Sequence, residues 1–220
     1  MKKAAPPPPE EDKEEWMVTY ADAITLLMAF FVMLLTFKEY DAGQREEAVA
    51  AIKENLGNQQ NVERPMMNLM NGLNSILDGG QIQPEDATVS FDDSGVVIEF
   101  SSKSFFKSGS ATLKPEATEI LAGIAEELQE PMYQLYFLEV EGHTDDVPIK
   151  TRMFPSNWEL STARAAIVVR EFIELDIKPA RLKAAGYADT RPKEPNKDMF
   201  GEAIPENREI NRRVAIRLHP

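Results

Sequence analysis

The most apolar stretch of the sequence carries a carboxylate: Asp22, within WMVTYADAITLLMAFFVMLLTF at residues 16–37. An ionised acid at the centre of a spanning helix costs about 2.5–3.5 kcal/mol on insertion scales, and no basic residue in the run neutralises it. At 100° per residue, Thr19, Thr25, Ala29 and Thr36 fall within about 60° of Asp22, while Leu, Ile, Met and Phe fill the opposite side. A small, polar stripe carrying an acid is what a helix shows to partner helices or a water-filled path. An acid so placed can take up a proton, or pair with a small cation, from one side and release it to the other. The alternative is a structural acid that reaches interfacial water, about 9 Å in from Trp16.

A second constellation lies in VEGHTDDVP, residues 140–148. His143, Asp145 and Asp146 are metal-ligand types, but the other histidine is His219 and no H-x-x-x-H spacing exists, so no metal site is expected. A Ser-His-Asp hydrolase would want a nucleophile-elbow glycine pattern, and there is none. Downstream, Asn157, Ser161 and Arg164 stand at i, i+4 and i+7 and share a helix face, within reach of the acidic loop at 144–146. One reading is a structural Asp–Arg pair on a solvated face. The other is a pocket in which Asp145 accepts from an ammonium while Arg164 grips a carboxylate in its planar fork. Such a pocket recognises a zwitterionic, amino-acid-like group.

The rest of the chain must position these groups. It has 220 residues, a formal net charge of -13 and no cysteine. So acidic a chain lacks the basic face that a nucleic-acid partner needs. Without cysteine there is no disulfide framework, no thiolate metal site and no lipid-acceptor thiol, so the apolar run must provide any hold on a membrane. Its 22 residues span about 33 Å as a helix, against a hydrocarbon core of about 30 Å. It is too long for a signal-peptide core, follows an acidic leader and precedes no small-residue cleavage pattern. Trp16 and Tyr40 suit the two interfaces. Lys2, Lys3 and Lys13 before the span balance Lys38, Arg45 and Lys53 after it, so the charges leave its orientation open.

Residues 1–15, with PPPP at 6–9, read as a disordered tail. The segment 38–60 reads as an amphipathic linker helix with Ala48, Val49, Ile52 and Leu56 on one side. It is either solvated or docked on something apolar near the membrane. Residues 61–86 combine a helical MMNLMNGLNSIL with the loop DGGQIQPED. A compact domain is expected over 87–220. TVSFDDSGVVIEF is a hairpin signal, a helix follows from about Lys114 to Gln129, LYFLEVEGH is a strand, and Ser156 with Glu159 has capping-box spacing before another helix. RLKAAGYADTRP holds a short strand, and a long polar loop leads to a final strand in NREINRRVAIRLHP. The order β-β-α-β-α-β-β predicts an α+β domain, a mixed sheet with helices on one face.

GHTDD, SNWELSTARA, GYADTRP and NREINRRVAI in series resemble the OmpA-like peptidoglycan-binding domain, as does FFKSGSATLKP at its first loop–helix junction. The helix signature Asn-x-x-Leu-Ser-x-x-Arg-Ala is met by Asn157, Leu160, Ser161, Arg164 and Ala165. The N-terminal span is similar to that of flagellar stator B subunits of the MotB/PomB type. The resemblance implies that Asp22 is the ion-binding acid. It implies that Asp145 and Arg164 contact the ammonium and carboxylate of diaminopimelate in the stem peptide, with Thr144, Asn157, Asn211 and Arg212 shaping that site. The segment near 42–56, with Ala48, Val49, Ile52 and Leu56, would be a plug that blocks ion flow. A non-enzymatic inner-membrane protein follows, N-terminus cytoplasmic and C-terminal domain periplasmic. It would be a homodimer within a ring of A subunits (MotA/PomA type), needing no cofactor beyond the translocated ion, H+ or Na+. Two rivals are a purely structural OmpA/Pal-like tether and the B subunit of a Zorya-type phage-defence system.

Overall fold

The computed structural model describes residues 15–36, 41–55, 64–80 and 82–219. The tail expected over 1–15 (Glu15 excepted), the interface residue Tyr40 and Leu56 of the apolar stripe lie outside them. The described residues fall into two units, within Met1–Tyr40 and within Asp41–Pro220. The first is α1 (Glu15–Thr36), one residue earlier at each end than the expected span. Its stretch Trp16–Leu35 has a mean hydropathy of 2.0 and is long and apolar enough to cross a membrane.

The second unit is built on a five-stranded sheet in the order β1-β2-β5-β3-β4. β1 (Ala87–Phe91) and β2 (Val96–Ser101) form the expected hairpin, and the short α4 (Ser102–Phe105) follows β2. Asp92 Oδ1 closes its turn by accepting from the amides of Ser94 at 2.8 Å and Gly95 at 2.9 Å, an Asx turn. β3 (Phe137–His143) pairs antiparallel with β5 (Arg213–His219) and parallel with β4 (Leu182–Ala188). A parallel pair needs a crossover, and α6 (Asn157–Glu174) supplies it. Side chains alternate across each strand. Ile98 and Phe100, Leu138 and Val140, Val214 and Ile216 are fully buried on one side. They meet α3 (Pro65–Gly79), α5 (Pro115–Glu127) and α6 through Leu73, Leu121, Ile124, Val168 and Phe172.

The intervening strand positions carry charge. Arg213 Nε donates to Glu99 at 3.0 Å, Lys183 meets Glu139 at 2.8 Å, and Arg217 Nε donates to Glu141 Oε2 at 3.1 Å while also pairing with Asp92. His143 is buried here, its Nε2 3.3 Å from Glu141 and its Nδ1 without a hydrogen-bond partner among the described residues. Burial pushes the His143 imidazole below its usual 6.5; Glu141 opposes and Arg213 assists. Burial raises Glu141, but His143 and Arg217 outweigh it and hold the carboxyl below 4.5. In both cases the unfolded chain binds the proton the folded one releases, so stability rises with pH. Stability should therefore begin to fall below pH 6.5 and fall further below 4.5. A urea-denaturation series from pH 7.5 to 4 checks this. In His143→Gln the decline between pH 6.5 and 5 should flatten.

Two elements lie differently from expectation. The helix expected within 61–86, as part of a linker ahead of the domain, packs into the domain itself: α3 buries Leu69 and Leu73 in the core. The preceding α2 (Ala42–Asn55) docks as well, so the unit begins at Asp41 rather than near Ala87. Gly43 lies against the Phe91 ring and Ala50 is buried. Glu46 accepts from the Met66 and Met67 amides at 3.1 and 2.9 Å. The α3 N-cap, Arg64, makes no side-chain capping bond, so a carboxylate from another helix satisfies donors that would otherwise be orphaned. In consequence the stripe reverses: Ala48 is exposed, and Val49 and Ile52 are 50% and 60% exposed. The expected polar loop before β5 also contains α7 (Pro205–Asn211).

Gly142 lets α6 lie close on β3. A Cβ there would stand 2.1 Å from the Ser161 carbonyl oxygen, and a helix backbone cannot yield as a side chain can. Gly142→Ala should cost about 2 kcal/mol or more, read as a lower urea midpoint with unchanged m-value.

Candidate functional site

On α1, Thr19 Oγ1 donates to the Trp16 carbonyl at 2.9 Å and Thr25 Oγ1 to the Asp22 carbonyl at 2.8 Å. Each hydroxyl proton is thus used within the helix, and each oxygen keeps acceptor capacity. Asp22 and Ala29 are exposed on the same helix, and Thr36 is its last residue.

In the second unit, β3 delivers the GHTDD loop. The Thr144 amide donates to the Ala188 carbonyl at 2.8 Å, extending the β3–β4 pairing past a register shift at Gly142/His143. Ser156 and Glu159 form the expected capping box that starts α6. Asn157, its first residue, holds the loop: Nδ2 donates to the carbonyls of Asp145 at 3.2 Å and Val147 at 3.0 Å, and Oδ1 accepts from the Ile149 amide at 3.2 Å. Asp145 is 7% exposed. Its Oδ1 accepts from the Val147 amide at 3.2 Å, and its Oδ2 pairs with Arg212 Nη1 at 2.6 Å.

Arg164, two turns into α6, is 5% exposed. Its Nε donates to the Ser110 carbonyl at 3.0 Å and its Nη1 to Ser102 Oγ at 3.2 Å, with the guanidinium 5.1 Å from the Phe106 ring centroid. Asp145 is therefore ion-paired to Arg212, and Arg164 has no carboxylate within ion-pair distance among the described residues. Burial pushes the Arg164 guanidinium down to about 10, Arg212 adds repulsion, and Asp145 opposes both. It remains a cation at neutral pH, costly without an anion.

Beside it opens a cavity of about 470 Å3, lined by Ser102, Lys103, Phe106, Ser108, Gly109, Lys114, Arg164 and Arg212. Arg164 and Arg212 were both expected at the site. Asp145 stands at its edge through Arg212. Thr144, Asn157 and Asn211 do not line it. Thr144 donates its hydroxyl to the Asp145 carbonyl at 3.0 Å. Asn211 holds the 193–196 loop, accepting from the Lys193 amide at 2.7 Å and donating to Glu194 O at 2.7 Å. All three hold loop backbone outside the cavity lining, at 145–149 and 193–196. Sequence reasoning marked FFKSGSATLKP, residues 105–115, only as a loop–helix junction and did not place the 102–114 wall at the site. Its signal was Gly109, whose φ of +62° favours glycine, between two lysines. The Asp146–Arg208 pair, at 2.6 and 3.0 Å, also escaped it.

Residues 1–56 match the family model for the membrane MotB of the proton-channel complex MotA/MotB, and 105–208 match the OmpA family. The Bacillus subtilis protein YtxE is 33% identical over 213 residues, covering 89% of this chain and 86% of that protein. Motility protein B of Bacillus subtilis is 26% identical over 246 residues, covering 94% and 91%. A solved MotB-like protein from Desulfovibrio vulgaris superposes with TM-score 0.60 at 28% identity, over 70% of this chain and 93% of that one. The cell wall anchor of the T6SS from Pseudomonas aeruginosa gives 0.57 at 30%, over 70% and 96%.

Proposed function

Since this chain belongs to the MotB family and carries an OmpA-like domain, we propose that it is the wall-anchored B subunit of an ion-driven stator. The observation that carries this is one chain holding both an acid on a membrane-length helix and a buried arginine that, among the described residues, has no carboxylate partner, at a cavity in an OmpA-like fold. α1 crosses the inner membrane with its N-terminus cytoplasmic. It pairs with a second copy inside a ring of A subunits (MotA/PomA type), and Asp22 carries H+ or Na+ along the face with Thr19, Thr25, Ala29 and Thr36. Loading neutralises the acid and release restores the charge, changing its attraction to the surrounding ring on each cycle. The periplasmic unit grips the diaminopimelate stem peptide, with Arg164 on a carboxylate and Asp145 next to the ammonium. Torque needs that fixed point. The likeness to Motility protein B favours a flagellar setting.

The test is ion uptake by vesicles co-expressing this chain and its A-type partner, repeated with sodium removed at constant proton-motive force. Uptake no greater than in vesicles lacking the chain would end the stator reading. The likeness to the T6SS anchor favours a second reading, a tether without ion flow. Under it, replacing Asp22 changes nothing that the cell measures.

A further inference from the structure

The cavity beside α6 holds more positive charge than one carboxylate requires. Lys103, Lys114, Arg164 and Arg212 line it, and no acidic residue does. Two of these cations are already matched: Arg212 by Asp145 at 2.6 Å and Lys103 by Glu209 at 3.2 Å. Arg164 and Lys114 are not; among the described residues neither has a carboxylate within 4.0 Å. Arg164 uses Nε and Nη1 on Ser110 and Ser102, and its Nη2 has no hydrogen-bond partner among the described residues. Lys114 Nζ donates to the Lys103 carbonyl at 2.7 Å, which holds the amine against the cavity wall. It stands just before α5, where Pro115 opens the helix and fixes the backbone that carries it.

A volume of about 470 Å3 is that of a small-ligand site and exceeds one carboxylate. Guanidinium and ammonium groups are donors only. They reward a carboxylate and gain nothing from the N–H groups of an amide. The geometry points to a site for two carboxylates: buried Arg164 takes one and Lys114 takes a second on the same stem peptide, so that the anchor reads whether those carboxylates are free or amidated. This rests on the peptidoglycan reading above and adds Lys114 as a specificity-determining residue.

The full chain in detergent micelles is titrated calorimetrically with a diaminopimelate-containing stem peptide whose carboxylates are all free, and with its singly amidated forms. The free peptide should bind about tenfold tighter than at least one mono-amide, the ratio expected when a charge-assisted hydrogen bond is lost. Lys114→Gln should bind the free peptide about tenfold more weakly and lose that preference, while Lys114→Arg keeps most of it. Thermal melts check that the variants fold. A Lys114→Gln protein that retains the full preference, or a wild type that binds all forms equally, overturns the two-carboxylate site. In those cases the peptidoglycan reading still stands if Arg164→Ala abolishes binding. If neither peptide nor purified sacculi bind wild type, the reading and the inference fall together.

Discussion

Asp22→Asn should stop ion uptake and motility outright while leaving the protein in the membrane at wild-type levels or above. The amide keeps the shape and much of the polarity of the acid but cannot exchange a proton or carry a negative charge for a cation. The charged form is also what makes the helix expensive to insert, by about 2.5–3.5 kcal/mol at the centre of a span. Removing it makes insertion easier, so lost function cannot be blamed on lost protein. Asp22→Glu tests the geometry: it keeps the acid, moves it by one methylene and should retain partial uptake. Two readouts decide the matter, swimming in soft agar and quantified membrane content. Wild-type swimming by the Asn variant at equal abundance would sink the carrier role.

Arg164→Ala should release the protein from the wall. The guanidinium is buried, bonded to Ser110 and Ser102, and faced by no carboxylate within ion-pair distance among the described residues. It therefore brings to the cavity a charge already desolvated before any ligand arrives, and such a charge strengthens hydrogen bonds to an anion. Its loss should lower co-sedimentation affinity for purified sacculi by about 10- to 100-fold, the worth of hydrogen bonds to a charged group. The fold should survive, because the variant also relieves the burial that pushes Arg164 down to about 10. Arg164→Lys keeps the charge without the planar fork and should fall between the two. Sedimentation of Arg164→Ala equal to wild type, with an unchanged melting temperature, would falsify the assignment.

Neighbouring residues decided how much of this was legible in the sequence. The capping box at Ser156 and Glu159, the β1–β2 hairpin and the helix α1 rest on contacts within a few residues, and each forms within a residue of where the pattern puts it. The Asn157–Ser161–Arg164 face was equally legible, since one helix fixes its own periodicity. The partner of Asp145 was not. Arg212 lies 67 positions away, and no local pattern chooses among several arginines. The fate of α2 was hidden for the same reason: Glu46 reaches the α3 amides and Gly43 meets Phe91. Those contacts turn the small-residue side inward and leave Val49 and Ile52 outward.

The sequence by itself determined that this protein has a membrane-length helix with one acid on its small-residue face and a mixed α+β unit bearing wall-binding signatures. Spacing along a single helix or strand carries that information, because side-chain direction follows from the backbone period. Only the tertiary structure decided which charges pair. It set Asp145 on Arg212, left Arg164 and Lys114 lining one cavity without a carboxylate partner among the described residues, and drew α2 and α3 into the folded unit. Burial and charge pairing depend on what distant segments bring to the same place, and so does the chemistry of the site.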